Sequence, residues 1–165
     1  MQNEEKKTNL VIEDSHYAKK AREAFEAGYN CSQAVVLAFA DVMGMDEKTA
    51  LRLSSSFGGG MGRMREVCGA VSGMLMVAGV LWGFDDPEGN SAKAAHYARV
   101  QKLAGEFRGE CGSIICRELL GGVPSSTPTP TERTPAFYKK RPCAELVALA
   151  AAILEQELRE EEKTC

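Results

Sequence analysis

Three of the six cysteines stand where a thiolate is favoured, and a fourth lies in a short helical stretch. Cys31, Cys68 and Cys143 each open a predicted helix, and Cys116 lies in the short helix-like stretch IICREL. A helix N-terminus presents unpaired N–H groups and the positive end of the macrodipole, worth about 0.3–1 kcal/mol to a negative charge at an exposed site. The thiolate is the form that attacks disulfides and ligates metals. Four soft sulfur ligands together suit an iron–sulfur cluster or a zinc ion, and pairs of them suit thiol–disulfide exchange. The plainer alternative is packing, because free cysteine is among the most buried residue types. No C-x-x-C occurs, so neither a thioredoxin-like pair nor a zinc knuckle is written locally, and any site must be assembled by the tertiary fold. Cys111, five positions before Cys116, reads as a spare or resolving thiol or as incidental, and Cys165 is the last residue.

The elements that must carry these sulfurs read as helices. Residues 1–14 form a mixed-charge lead expected to fray. Ser15 caps a helix with Ala18, Ala21 and Phe25 at helical spacing, stopped by Gly28. A second helix starts at Asn30-Cys31, carries Ala34, Val35, Ala38 and Val42 on one face, and ends at Gly44. Asp46 caps a third through Ala50, Leu53 and Phe57, closed by Gly58, Gly59, Gly60 and Gly62. The stretch from Val67 to Gly83 is apolar nearly all round and is expected to be surrounded by the others. Within it Gly69 and Gly73 lie four apart and would admit a close approach by a backbone or a cofactor, which makes them candidate cofactor-contacting positions.

A mixed-charge helix from Ser91 to Glu110 and a short helical stretch at 112–122 follow. Residues 121–141 hold most of the prolines and read as a long surface loop, unusual enough to imply a function or a tether. The final helix opens at Pro142-Cys143, with a stripe of Leu146, Leu149, Ala150, Ile153 and Leu154, and a polar tail occupies 159–165. No alternating apolar run with paired turn signals marks a sheet. The expected fold is all-α, a single-domain multi-helix bundle over residues 15–158 with a central apolar helix.

Composition narrows the function. A chain of 165 residues fits one domain. A net charge of −3 disfavours nucleic acid as a partner. The N-terminal segment lacks a signal-peptide h-region, and Ala70–Gly83 is too short to span a bilayer. A cytoplasmic location is therefore expected, and cysteines in such a chain point to metal binding or catalysis. The glycine run lacks the Lys-Ser/Thr ending of a P-loop and reads as a flexible turn that lets Cys68 approach its partners. Arg63, Arg65 and Arg117, near the cysteines in sequence, would lower thiol pKa or offset cluster charge if they pointed inward and are otherwise solvated. His16 and His96 read as surface residues, and Met61, Met64, Met74, Met76 and Trp82 as core filler.

The order Tyr29-Asn30-Cys31-Ser32-Gln33-Ala34, FGGGMGRMREVCGAVSG from Phe57, GSIICRELLG from Gly112, and Cys143 ahead of an Ala/Leu helix resembles the C_GCAxxG_C_C family of redox-active proteins. Its most specific element is Cys68-Gly69-Ala70-Val71-Ser72-Gly73, and the resemblance covers roughly Ala18 to Leu154. The four family cysteines map onto Cys31, Cys68, Cys116 and Cys143, leaving Cys111 and Cys165 outside. Similar domains in split-Soret cytochromes imply a helical homodimer with an iron–sulfur site. The four thiolates are read as the ligands of a cluster of the [2Fe–2S] type, for electron transfer or redox sensing with an unidentified redox partner protein. Because no C-x-x-C-H is present, covalent haem is not expected. The resemblance brings no defined reaction; thiol–disulfide exchange, a structural zinc site and a helical interaction protein remain alternatives.

Overall fold

The computed structural model describes residues 12–122 and 127–165. Ser15 begins the helical body as expected: its hydroxyl accepts from the Ala18 N–H at 3.0 Å and starts α1 (His16–Glu26). The same hydroxyl donates to the buried carboxylate of Glu155, which also accepts from the Tyr17 N–H at 3.2 Å. This clasp ties α1 to α10 (Cys143–Thr164), against which it packs along much of its length. The Leu146, Leu149, Ala150, Ile153 and Leu154 stripe is buried. Each large apolar side chain fully withdrawn from water contributes about 1.5–3 kcal/mol before chain entropy is charged against it.

Helix α2 (Cys31–Ala38) starts at a capping box in which Asn30 Oδ1 accepts from the Gln33 N–H and Gln33 Oε1 accepts from the Asn30 N–H. The two amides also donate outward, Asn30 to the Ser55 carbonyl and Gln33 to the Leu51 carbonyl, so the cap docks on the next segment. The expected run to Gly44 is broken at Phe39, whose φ of −104° and ψ of 9° separate α2 from the short α3 (Ala40–Met43). Asp46 caps α4 (Glu47–Ser54) by accepting from the Thr49 N–H at 3.0 Å.

After a 3₁₀ turn at Ser55–Phe57, the one-turn element α5 (Gly58–Met61) leaves right-handed space. Gly59, Gly60, Met61, Gly62 and Arg63 all have φ between 60° and 70°, and Arg65 has φ 62°. This is a left-handed turn closed by Arg65 N–H to Gly59 O and Glu66 N–H to Gly60 O. Left-handed backbone costs a non-glycine residue roughly 1–2 kcal/mol, and three such residues occur here. Sequence reading expected a flexible turn; a cluster of outliers of this kind is held by its surroundings and gathers at functional sites.

Helix α6 (Gly69–Trp82) packs against α2, α10 and α7 (Asn90–Cys111), and its early turns are buried. It is not enclosed all round, because Val80 near its C-terminus is 47% exposed. α7 is anchored by Leu103 and Phe107. The short α8 (Cys116–Leu119) follows, and the supposed loop at 121–141 contains α9 (Pro135–Lys140), capped by Thr134 with Pro135 in its first turn. The polar tail is not separate either, since α10 continues to Thr164. The lead at 1–14 falls mostly outside the described residues; its last three form a 3₁₀ turn. Among the described residues there is no strand, only an isolated antiparallel bridge between Val67 and Ile115. No described helix is long and apolar enough to cross a membrane.

Candidate functional site

Four helix starts meet at one cavity. Cys31 is the first residue of α2, Cys116 of α8 and Cys143 of α10, and Cys68 immediately precedes α6. All four line a single cavity of about 310 Å³, and neither Cys111 nor Cys165 does. Cys68, Cys116 and Cys143 are buried and Cys31 is partly accessible. Cys111 instead donates back to the Phe107 carbonyl at 3.1 Å, within its own helix, and Cys165 is exposed.

Two backbone devices bring the sulfurs together. The first is the short antiparallel pairing around the Val67–Ile115 bridge: Cys68 N–H donates to Ile114 O at 2.8 Å, and Cys116 N–H donates to Glu66 O at 2.7 Å. Those bonds set Cys68 and Cys116 in adjacent segments although they are far apart in sequence. The second is the close packing of α2 on α6. A Cβ on Gly69 would lie 3.1 Å from the Cys31 Cβ and 2.9 Å from the Phe57 carbonyl, and one on Gly73 would lie 2.8 Å from the Ser32 carbonyl. The close approach that these glycines permit is therefore by a helix backbone. Gly69 also borders the cavity, whereas Gly73 lies outside its lining.

The left-handed turn serves the same site. A Cβ on Gly60 would sit 2.7 Å from the Cys116 Cβ, so only glycine leaves room for that sulfur-bearing residue. The turn also buries Arg65, which is only 4% exposed and directs Nη1 to the Cys116 Sγ at 3.7 Å. Arg117, in contrast, points to an exposed ion pair with Glu66 at 2.8 Å. Met61 and Met64, expected in the core, are carried outward by the turn and are exposed, while Met74 is fully buried.

Cys31 and Cys143 form a hydrogen-bonded pair in which the Cys31 thiol donates to the Cys143 sulfur. That bond, joined by the guanidiniums of Arg141, Arg133 and Arg65, outweighs burial and lowers the Cys143 thiol to about 7. The same bond, burial and repulsion from the other sulfurs push Cys31 well above the usual thiol range. The two thiols therefore titrate as a pair, with Cys143 the one favoured as thiolate and Cys31 the one that keeps its proton. At Cys68 the helix-start expectation fails. The Ala70 and Val71 N–H groups favour its thiolate, but burial dominates and pushes it up to about 12.

The cavity is roofed by part of the proline-rich 121–141 segment. Pro128, Pro130 and Thr131 line it, and they are tied down by Arg63, which donates to the Thr127 carbonyl at 2.8 Å and to the Thr131 hydroxyl at 3.1 Å. Arg133 donates to the Phe25 and Tyr29 carbonyls and stacks on the Phe25 ring at 4.3 Å. Sequence reading missed Arg133 and Arg141 as site residues; the basic tail at Tyr138-Lys139-Lys140-Arg141, just ahead of Cys143, was the available signal.

Among the described residues, no three His, Cys, Asp or Glu side chains are grouped so as to hold a metal ion. The arrangement as it stands offers a contact pair, Cys31 and Cys143, and two further buried thiols around the same cavity.

A family model described as "Putative redox-active protein (C_GCAxxG_C_C)" matches residues 29–157. No curated protein and no solved structure matches the chain. With most of its length matched, the chain belongs to the C_GCAxxG_C_C family.

Proposed function

We propose that this protein is an iron–sulfur electron carrier or redox sensor in which Cys31, Cys68, Cys116 and Cys143 ligate one cluster, of the [2Fe–2S] type, in a reducing compartment such as the cytoplasm. The observation that carries this reading is that these four cysteines, and neither of the other two, line one cavity. Four cysteine thiolates complete the protein ligation of such a cluster. The donor chemistry fits: the lining combines the sulfurs with Arg63, Arg65, Arg133 and Arg141 and, among the described residues, contains no carboxylate. Cations of this kind offset the negative charge of a thiolate-ligated cluster and raise its reduction potential.

A tetrahedral zinc ion needs all its sulfurs about 3.8 Å apart, as follows from bonds near 2.3 Å. A cluster spreads its thiolates over two irons, a looser demand on four cysteines that share a cavity but form no preformed ligand cage among the described residues. When bound, the cluster supplies one-electron chemistry. The chain's own residues would exclude water, with Cys68 and Cys116 buried, and hold a positive charge against Cys116 through Arg65.

A second reading is favoured by the Cys31–Cys143 contact. In the metal-free protein the Cys143 thiolate would attack a disulfide substrate, releasing one thiol. Cys31 would then displace the mixed disulfide, leaving a Cys31–Cys143 disulfide and two substrate thiols, with two electrons from the cysteines, one proton from Cys31 and the second proton from solvent.

A redox titration separates the readings. Anaerobically purified protein that is coloured, contains iron and sulfide and titrates with one electron supports the cluster. Colourless protein that titrates with two electrons, with Cys31 and Cys143 as the oxidised residues, replaces it with the thiol couple.

A further inference from the structure

The cavity carries more positive charge than a cluster in it would balance. Among the described residues four arginines line it with no Asp, Glu or Lys, in a chain whose net charge is −3. Four thiolates with two ferric ions and two sulfides total about −2, short of four guanidiniums. Arg65 is the one that points a nitrogen at a cysteine sulfur. Arg63, Arg133 and Arg141 stand half-exposed beside the Pro128–Thr131 roof.

These three are held in place by uncharged partners. Arg63 is bonded to the Thr127 carbonyl and the Thr131 hydroxyl, and Arg133 to the Phe25 and Tyr29 carbonyls while facing the Phe25 and Phe137 rings. Arg141 lies 4.8 Å over the Phe137 ring, and its guanidinium makes no hydrogen bond or ion pair with any described residue. Their mutual repulsion is felt: burial, then the charges of Arg65 and Arg141, lower the Arg63 pKa. Each guanidinium has five N–H donors, so Arg63 and Arg133 keep donors beyond the two that position them, and with no carboxylate in the described lining an oxyanion is the partner their planar fork matches. A cavity of about 310 Å³ also falls at the small end of ligand sites, whose range begins near 300 Å³.

We propose that Arg63, Arg133 and Arg141 form a binding subsite for a small oxyanion, carboxylate or tetrahedral, seated under the Pro128–Thr131 roof beside the four sulfurs. Only the charge surplus rests on the cluster reading; the arginine arrangement stands without it. The ligand would therefore be a redox substrate or effector brought next to the electron-carrying group, recognised by its negative charge and small size.

Isothermal titration of the full chain with malonate, phosphate and sulfate, at constant ionic strength against chloride, tests this in metal-free and reconstituted protein. Arg141→Gln is the informative variant, because it removes no hydrogen bond of the fold; circular dichroism and the melting temperature verify that it folds. Saturable binding of at least one probe, about tenfold or more weaker in Arg141→Gln and partly restored in Arg141→Lys, supports the subsite. No saturable binding in either form, or binding unchanged in Arg141→Gln, overturns it. Protein that takes up no iron yet binds the anion would sink the cluster reading alone. Protein that takes up iron and binds no anion would sink the subsite alone.

Discussion

Gly73→Ala tests whether the α2–α6 contact sets the position of Cys31. The new methyl carbon would lie 2.8 Å from the Ser32 carbonyl oxygen, 3.1 Å from the Val35 Cβ and 3.3 Å from the Ser32 Cα. None of these atoms is the end of a flexible side chain, so α2 must retreat from α6 by roughly half an ångström. Overpacking of this kind costs about 1–3 kcal/mol, and a rigid backbone oxygen places the cost in the upper half. Alanine regains about 1 kcal/mol of helix propensity, which leaves a net loss of about 1–2 kcal/mol. Gly79, in the same helix, is the control: a Cβ there meets nothing within 4 Å, so Gly79→Ala should stabilise by about 1 kcal/mol. Urea unfolding of the metal-free, reduced proteins reads the difference, about 2–3 kcal/mol. For a chain of this size that corresponds to roughly 4–12 °C in melting temperature. Because α2 carries Cys31, Gly73→Ala should also loosen the Cys31–Cys143 bond and raise the Cys143 pKa. Equal stability of the two variants would refute the packing argument.

Iodoacetamide labelling of the metal-free protein should modify Cys143 with a midpoint near pH 7, while Cys68 resists until about pH 12; a Cys143 midpoint at the ordinary thiol value would contradict the hydrogen-bonded pair. The raised Cys68 pKa means that the folded state binds more protons than the unfolded one above the ordinary thiol value near 9, so its contribution to stability is full below that pH and declines as pH rises toward 12. Alkaline unfolding should therefore be shallower in Cys68→Ala over that window, as denaturant midpoints measured against pH would reveal. Gly60→Ala combines left-handed backbone with a contact at 2.7 Å to the Cys116 Cβ; a loss of about 3 kcal/mol or more is expected from equilibrium unfolding. In protein that holds a cluster, Arg65→Gln should lower the reduction potential by tens of millivolts, since removing a nearby cation disfavours the more negative reduced state; an unchanged potential would show that Arg65 only packs.

The helix starts at Cys31 and Cys143 were legible because local punctuation writes them: an Asn30/Gln33 capping box and a proline before the final helix. The four-cysteine set is legible through the family pattern centred on Cys68-Gly69-Ala70-Val71-Ser72-Gly73, and the structure puts it around one cavity. The burial of Arg65 was not legible. RMREV reads as a solvated charged segment, and only the left-handed turn, paid for by Gly59, Gly60 and Gly62, turns that side chain inward. The bridge joining Glu66–Cys68 to Ile114–Cys116 is too short and too non-local to leave a period-2 pattern. Helix α9 did leave a signal, Thr134 as cap followed by Pro135, which the proline and serine content of 121–141 masked. The thiolate expectation at Cys68 failed because the dipole of a helix start is worth less than the desolvation of a buried charge.

The most direct test is iron and acid-labile sulfide per chain after anaerobic reconstitution, measured for the native sequence and for Cys31→Ser, Cys68→Ser, Cys116→Ser, Cys143→Ser and Cys111→Ser. The four-cysteine site predicts about two of each per chain in the native protein and in Cys111→Ser, with a marked loss in each of the other four. Native protein that binds no iron and sulfide, or full retention of both in any one of the Cys31, Cys68, Cys116 and Cys143 variants, would contradict it.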